Sequence, residues 1–239
     1  MALHFVVDDA SGDAIELTGS EAHHASAVRR VRVGEEVTVT DGRGAWLTGS
    51  VASADPKRVS ISVESRAFVE APARRILLAQ ALAKGDRDEL AVQAATELDI
   101  DGIIPWQAAR SVSRWSGPKA AKGQARWQTI VREAAKQAHR AWIPIVSPVA
   151  STSDLVALAP DARIVVLDPW TDNRVADLDW SGEQDVILVV GPEGGIAPEE
   201  LAAFGEAGAA RARLGQSVLR TSTAGPAALA LLNQAIGRW

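Results

Sequence analysis

Short runs rich in apolar and β-branched residues, bounded by turn residues, occupy positions 2–7, 14–17, 36–40, 45–52 and 58–65. Each predicts a strand. Asp41-Gly42-Arg43-Gly44 separates two of them as a hairpin signal, and Asp55-Pro56 marks the next turn. One helical stretch, 22–30, interrupts the strands; Ser20 is placed to cap it, and Gly34 ends the pattern. Many short strands at this spacing predict a small β-barrel over residues 1–72, with Ala71-Pro72-Ala73 as the linker out of it. From Arg74 the pattern changes. Apolar runs at 76–81, 102–106, 143–146, 164–167, 186–190 and 210–214 predict strands, separated by helical stretches at 86–98, 119–140, near 152–158, at 198–207 and from Thr223. Strands apolar on both faces and alternating with helices predict a mostly parallel sheet covered on both sides. Residues 73–239 therefore read as an α/β domain behind the barrel.

Composition narrows this picture. The chain has 239 residues, 47% of them hydrophobic and 23% charged, which is the composition of a globular protein and excludes a disordered one. Its apolar runs, 186–190 among them, are far shorter than the ~18 residues of a membrane-spanning helix. The first residues lack the basic region of a signal peptide. Cysteine is absent, which removes disulfides, thiolate metal sites and a cysteine nucleophile together. These features predict a cytoplasmic protein. His23 and His24 have no neighbouring ligands at metal-binding spacing, so no metal is expected.

The net charge of −5 speaks against a nucleic-acid partner until its distribution is considered. Residues 102–140 hold eight Lys/Arg, among them Arg110, Arg114, Arg132, Lys136 and Arg140, against Glu133 alone. Such a basic stretch in an acidic chain fits a phosphate footprint, and equally a solvated helix face paired with acids elsewhere. Arg132, Lys136 and Arg140 recur every four residues, a single helical stripe opposite Trp127, Ile130, Val131, Ala134 and Ala138.

The strongest local signal is the run 186–190 entering Gly191-Pro192-Glu193-Gly194-Gly195, with Pro198-Glu199-Glu200 opening a helix beyond it. A buried strand, a glycine-rich loop and a helix place this loop at the carboxyl edge of the sheet, where open α/β sheets bind ligands. It is neither a Rossmann fingerprint nor a P-loop, and a tight strand–helix turn without a ligand fits the same residues. Two further loops converge on that edge: Leu167-Asp168-Pro169-Trp170 and the stretch from Leu214 to Ala224.

The second domain resembles the SPOUT methyltransferases, and the whole chain resembles the bacterial 16S ribosomal RNA (uridine-N3) methyltransferases. The matching stretches run in order along nearly the full length. They are His23-His24 with Val28-Arg29-Arg30, Lys84-Gly85-Asp86-Arg87, Gln93 to Glu97-Leu98, Arg110-Ser111-Val112, Arg126-Trp127, Glu133 to Gln137, Arg140, Pro144, the loop 191–195, and Leu214-Gly215 to Ala224. The chain departs from the family in having Ser222 where a Glu is usual and Arg29 where a Leu is usual. The resemblance implies a PUA-like, RNA-binding β-barrel followed by a trefoil-knotted α/β domain with a parallel sheet, and a homodimer whose active site lies near the subunit interface. It implies S-adenosyl-L-methionine as cofactor, held by Leu167, Asp168, Val190, Gly191, Pro192, Glu193, Gly194, Gly195, Leu214, Gly215, Val218, Leu219, Arg220, Thr223 and Ala224. Glu193 and Arg220 are the candidate catalytic residues. Arg29, Arg30, Arg110, Arg114, Arg132, Lys136, Gln137 and Arg140 are the candidate contacts to 16S ribosomal RNA of the small subunit.

The implied reaction is an in-line methyl transfer to N3 of one uridine. N3 carries a proton at neutral pH, and no histidine lies in the three loops. An arginine favouring the uracil anion, with water or a carboxylate as acceptor, is what remains. Two alternatives stay open: methylation of a ribose 2′-hydroxyl by the same fold, and a catalytically silent RNA-binding assembly factor.

Overall fold

The alternating runs at the amino-terminal end build a five-stranded sheet of β1 (Leu3–Val6), β2 (Ala14–Thr18), β3 (Glu36–Thr40), β4 (Ala45–Asp55) and β5 (Arg58–Phe68), in the order β1-β3-β4-β5-β2. The structure is a computed structural model that describes residues 2–239. β1 runs parallel to β3, and the other pairs are antiparallel. Period-two side chains on the inner face, Ile15, Leu17, Val37, Val39, Leu47, Val51, Val59 and Ile61, are buried together with Phe5, Ala22 and Ala25. β1 and β2 remain the two edges, so the small barrel expected from the strand spacing takes the form of an open half-barrel. Register shifts in the β4–β5 pair bend it.

Helix α1 (Gly19–His23) leaves β2 directly and continues as a π-helical stretch, His24–Val28. Its N-cap is Thr18 and not Ser20, because Gly19 at φ +57 turns the chain into the helix two residues early.

The second sheet has six strands, all parallel: β6 (Ile76–Ala81), β7 (Gly102–Trp106), β8 (Ile145–Val146), β9 (Ala162–Leu167), β10 (Asp185–Val190) and β11 (Ala210–Ala212). Their order is β11-β9-β10-β6-β7-β8. β10 is a central strand, with Val190 in register with Leu167 on one side and Gln80 on the other. α2 (Arg87–Glu97) and α6 (Thr221–Ala235) pack together and against β6, and α6 also packs against β10. Leu155 and Phe204, from α4 (Thr152–Val156) and α5 (Pro198–Glu206), join the cluster formed by Ile164, Val166, Ile187 and Val189.

The chain forms two compact units. One consists of the residues up to Pro72 together with Ala135–Ile143, the other of Ala73–Ala134 and Pro144–Trp239. A domain running unbroken from 73 to 239 would miss this exchange. The 120-to-140 region carries no apolar signal for it, because the link is made by backbone and charge. The Ala141 carbonyl accepts the N–H of Gly44 (3.0 Å) and the hydroxyl of Thr40 (3.2 Å), and Ile143 N–H binds the Gly42 carbonyl (3.0 Å). The intervening helix α3 spans Pro118–Gln137 and stops short of the expected Arg140. His139 sits in the left-handed region at φ +53, which a helix cannot accommodate.

Candidate functional site

The carboxyl ends of β9, β10 and β11 and the loop entering α6 line one cavity of about 630 Å3 in the second unit. That volume lies in the range of small-molecule sites. Its floor is the Gly191–Gly195 turn, closed by Gly195 N–H donating to the Pro192 carbonyl at 2.9 Å. Gly195 has φ +73, a conformation that favours glycine. A Cβ on Gly191 would lie 2.6 Å from Ile196 Cγ1, so the turn closes only because that atom is missing.

Of the residues singled out from the sequence, Leu167, Asp168, Val190, the loop 191–195, Leu214, Gly215, Val218, Leu219, Arg220 and Ala224 come together around this cavity. Thr223 does not line it; its N–H is bound to the Arg220 carbonyl in the first turn of α6. Arg87, Trp170, Arg213, Ser217 and Thr221 also line it without having been singled out. The stretch 84–87 carried a signal for Arg87. Thr221 was missed because α6 begins two residues earlier than its pattern suggested.

Both carboxylates at the cavity are engaged. Glu193 Oε1 accepts the Lys84 N–H at 3.1 Å and Arg87 Nη1 at 3.0 Å, so the loop after β6 holds this side chain. Asp168, 5% exposed, accepts the Trp170 N–H at 3.1 Å on one oxygen and the Arg211 guanidinium on the other, with Nε at 3.0 Å. Burial pushes the Asp88 carboxyl pKa up; it accepts the N–H groups of Ala83 and Glu89 at 2.9 Å and so shapes the 84–87 loop.

Four arginines, 87, 110, 213 and 220, border the same cavity. Arg110 was expected on an RNA-binding surface, yet it belongs to the cavity wall: Nη1 donates to the Gly194 carbonyl at 3.1 Å. Buried Glu200 fixes that placement by accepting the Ala109 N–H at 2.9 Å, the Thr152 hydroxyl at 2.7 Å and the Ala197 N–H at 3.1 Å. Arg220 is exposed at the N-cap position of α6. With both acids engaged, the surplus positive charge suits a ligand or substrate that carries anionic groups. The apolar walls of Leu167, Val190 and Leu214 suit a flat organic body.

The expected RNA contacts divide between the two units. Arg114 is exposed, with Nη2 donating to the Ala109 carbonyl at 2.8 Å. Arg132 is half-buried on α3. In the first unit, Arg29, Arg30 and Gln137 are exposed, and Arg140 lies beyond the helix end. Lys136 corrects the stripe most sharply. It is 3% exposed, and its Nζ donates to both Glu21 oxygens at 2.8 Å. The helix stripe of Arg132, Lys136 and Arg140 is therefore not a solvent-facing ridge, since its middle member is a buried ion pair and its last is off the helix. The tryptophans near these charges mostly pack inward: Trp106 meets Phe204 edge-on, and Trp127 meets Trp115.

Comparison with known proteins agrees with this layout. Residues 69–233 match the family described as RNA methyltransferase domain, and residues 17–64 the RNA methyltransferase PUA domain. The chain is 41% identical over 246 residues, all of this chain and 94% of the relative, to ribosomal RNA small subunit methyltransferase E of Mycobacterium tuberculosis. It is 31% identical over 221 residues to the Bacillus subtilis protein of that name, covering 87% of this chain and 85% of the relative. Among solved structures, the Neisseria gonorrhoeae ribosomal RNA small subunit methyltransferase E bound to S-adenosyl methionine superposes with a TM-score of 0.88 at 27% identity, covering 98% of each chain. A Legionella pneumophila protein in complex with the same cofactor gives 0.89 at 29% identity, again covering 98% of each chain.

Proposed function

We propose, from the premise that this chain belongs to the ribosomal RNA small subunit methyltransferase E family, that it methylates N3 of a uridine in 16S ribosomal RNA with S-adenosylmethionine as donor. The observation that carries the proposal is the full-length family match with the glycine-rich turn, the Asp168 loop and the Arg220 loop all gathered at one cavity. The residues fit the cofactor. A 630 Å3 cavity with apolar walls and a floor in which three of five residues are glycine accommodates a nucleoside with an amino-acid tail. When bound, S-adenosylmethionine supplies a methyl group activated on a sulfonium.

The chain's part is binding, orientation and handling of one proton. Leu167, Val190 and Leu214 offer apolar walls, and the 191–195 turn permits close approach. Arg220, at the cavity edge, stabilises negative charge on the uracil as N3 loses its proton. Glu193, fixed through one oxygen by Arg87 and Lys84, keeps its second oxygen available to receive that proton or to orient the base. Holding both partners in line is the larger share of the catalysis, because the donor already carries a good leaving group. Contacts to the RNA backbone come from exposed arginines, Arg29 and Arg30 in the first unit and Arg114 in the second.

The chain acts as a homodimer in this proposal. Trp170, 82% exposed, and Val218, 61% exposed, stand at the cavity edge, where a second copy would cover them. The test is incubation with labelled S-adenosylmethionine and small ribosomal subunits or naked 16S RNA, followed by nucleoside mass spectrometry. N3-methyluridine is the expected product. A 2′-O-methylated nucleoside, or no label transfer, would overturn the assignment.

A further inference from the structure

β6 is apolar except at one position. Its sequence, Ile-Leu-Leu-Ala-Gln-Ala, places Gln80 in a central strand at 0% exposure. An apolar residue there would avoid desolvating an amide, and Gln80 Oε1 is in fact buried with no partner among the described residues. Its amide nitrogen explains the choice. Nε2 donates to Thr221 Oγ1 at 2.8 Å and to the Ala81 carbonyl at 3.2 Å. With its acceptor side occupied, the Thr221 hydroxyl donates its own proton to the Gly191 carbonyl at 2.9 Å. Three segments far apart in sequence, the end of β6, the first turn of α6 and the glycine-rich turn, are thus joined by one directional chain of hydrogen bonds.

The last link has a particular consequence. The peptide between Gly191 and Pro192 has no N–H, so its carbonyl is its only polar group. Bound to Thr221, that carbonyl is fixed in direction, and the wall of the cavity next to Val190 keeps its apolar face. Gly225 seats the same helix turn: a Cβ there would lie 2.9 Å from Leu78 Cδ1 and 3.3 Å from Val190 Cγ2. The hydroxyl therefore reaches Gly191 from a helix start that has no room to shift toward the sheet.

We propose that Gln80 and Thr221 are a positioning pair for the cofactor, acting through the Gly191 carbonyl. This rests on the cavity being the S-adenosylmethionine site. The test is calorimetric titration of the full-length protein with S-adenosylmethionine, with thermal melts run on the same samples. Thr221→Val keeps the shape and removes the hydroxyl; affinity should fall about tenfold, the scale of one buried hydrogen bond lost with its acceptor left bare. Thr221→Ser restores the donor and should bring affinity back. Gln80→Leu should weaken binding by a similar factor, and the Gln80→Leu, Thr221→Val double variant should lose no more than either alone, since both act on one carbonyl. Parental affinity in a folded Thr221→Val variant would overturn the pair. So would additive losses in the double variant, or losses that follow the melting temperature and are not recovered by Ser. If the parent protein itself failed to bind the cofactor, the assignment of the cavity would fall, and this inference with it.

Discussion

Single atoms decide much at the cavity and in the first unit. Gly195 adopts φ +73 beneath the cavity, and Arg110 contacts the adjoining Gly194. Gly195→Val should therefore abolish S-adenosylmethionine binding by calorimetry while the far-ultraviolet circular dichroism spectrum is kept, because a β-branched residue in the left-handed region forces the turn to reopen. His4 offers a different kind of sensitivity. It is 5% exposed, stacks between Trp46 and His139 at ring distances of 4.9 Å, and its Nδ1 binds Thr38 Oγ1 at 2.8 Å. Burial, with the neighbouring His139 and Lys136, lowers its pKa from 6.5 to about 4. The unfolded chain thus takes up a proton below pH 6.5 that the folded chain refuses until about pH 4. Stability contributed by neutral His4 is present above pH 6.5 and is lost as pH falls toward 4, by up to about 3 kcal/mol. Urea titrations at pH 7.5 and 5 should show this loss, and His4→Phe should remove most of the difference.

At the scale of elements, α3 is the clearest case of a helix whose charge pattern misleads. Lys136 resembles its arginine neighbours in sequence, yet it is buried against Glu21, 115 positions away. No spacing rule reaches that far. Lys136→Ala should lower the unfolding free energy by about 3–5 kcal/mol in thermal or urea melts, because it leaves a half-buried carboxylate without its partner. Adding Glu21→Ala should recover part of the loss. The parallel strands, by contrast, were readable from the sequence: 76–81 and 102–106 match the structure at both ends, since a strand buried on both faces is apolar throughout. The three cavity loops were readable too, because strand ends followed by glycine or by a helix start mark the sheet edge. Arg87, Arg110 and Thr221 were not assigned to the cavity, since their placement depends on β10 lying beside β6, a neighbour relation that local pattern does not carry.

For the whole molecule, light scattering at micromolar concentration should give about twice the 25.2 kDa chain mass if the exposed Trp170 and Val218 meet a second copy. A monomer mass would remove the dimer from the proposed function. RNA binding should be sensitive to salt through the exposed arginines of the first unit. Replacing Arg29 and Arg30 by Ala should reduce the slope of log affinity against log salt by up to roughly 0.7–0.9 per lost phosphate contact and leave cofactor affinity unchanged. The exchange of Ala135–Ile143 into the first unit has a consequence during synthesis. The half-barrel is translated first, but its partners for Thr40, Gly44 and Glu21 emerge from the ribosome some 70 residues later, roughly 4–14 s at ordinary elongation rates. By then β6, β7 and α2 have already emerged, while β10, which must enter between β6 and β9, has not. The nascent chain therefore finishes its amino-terminal unit in the middle of making the other. It has no complete cavity until the first turn of α6, close to the carboxyl end, has left the tunnel.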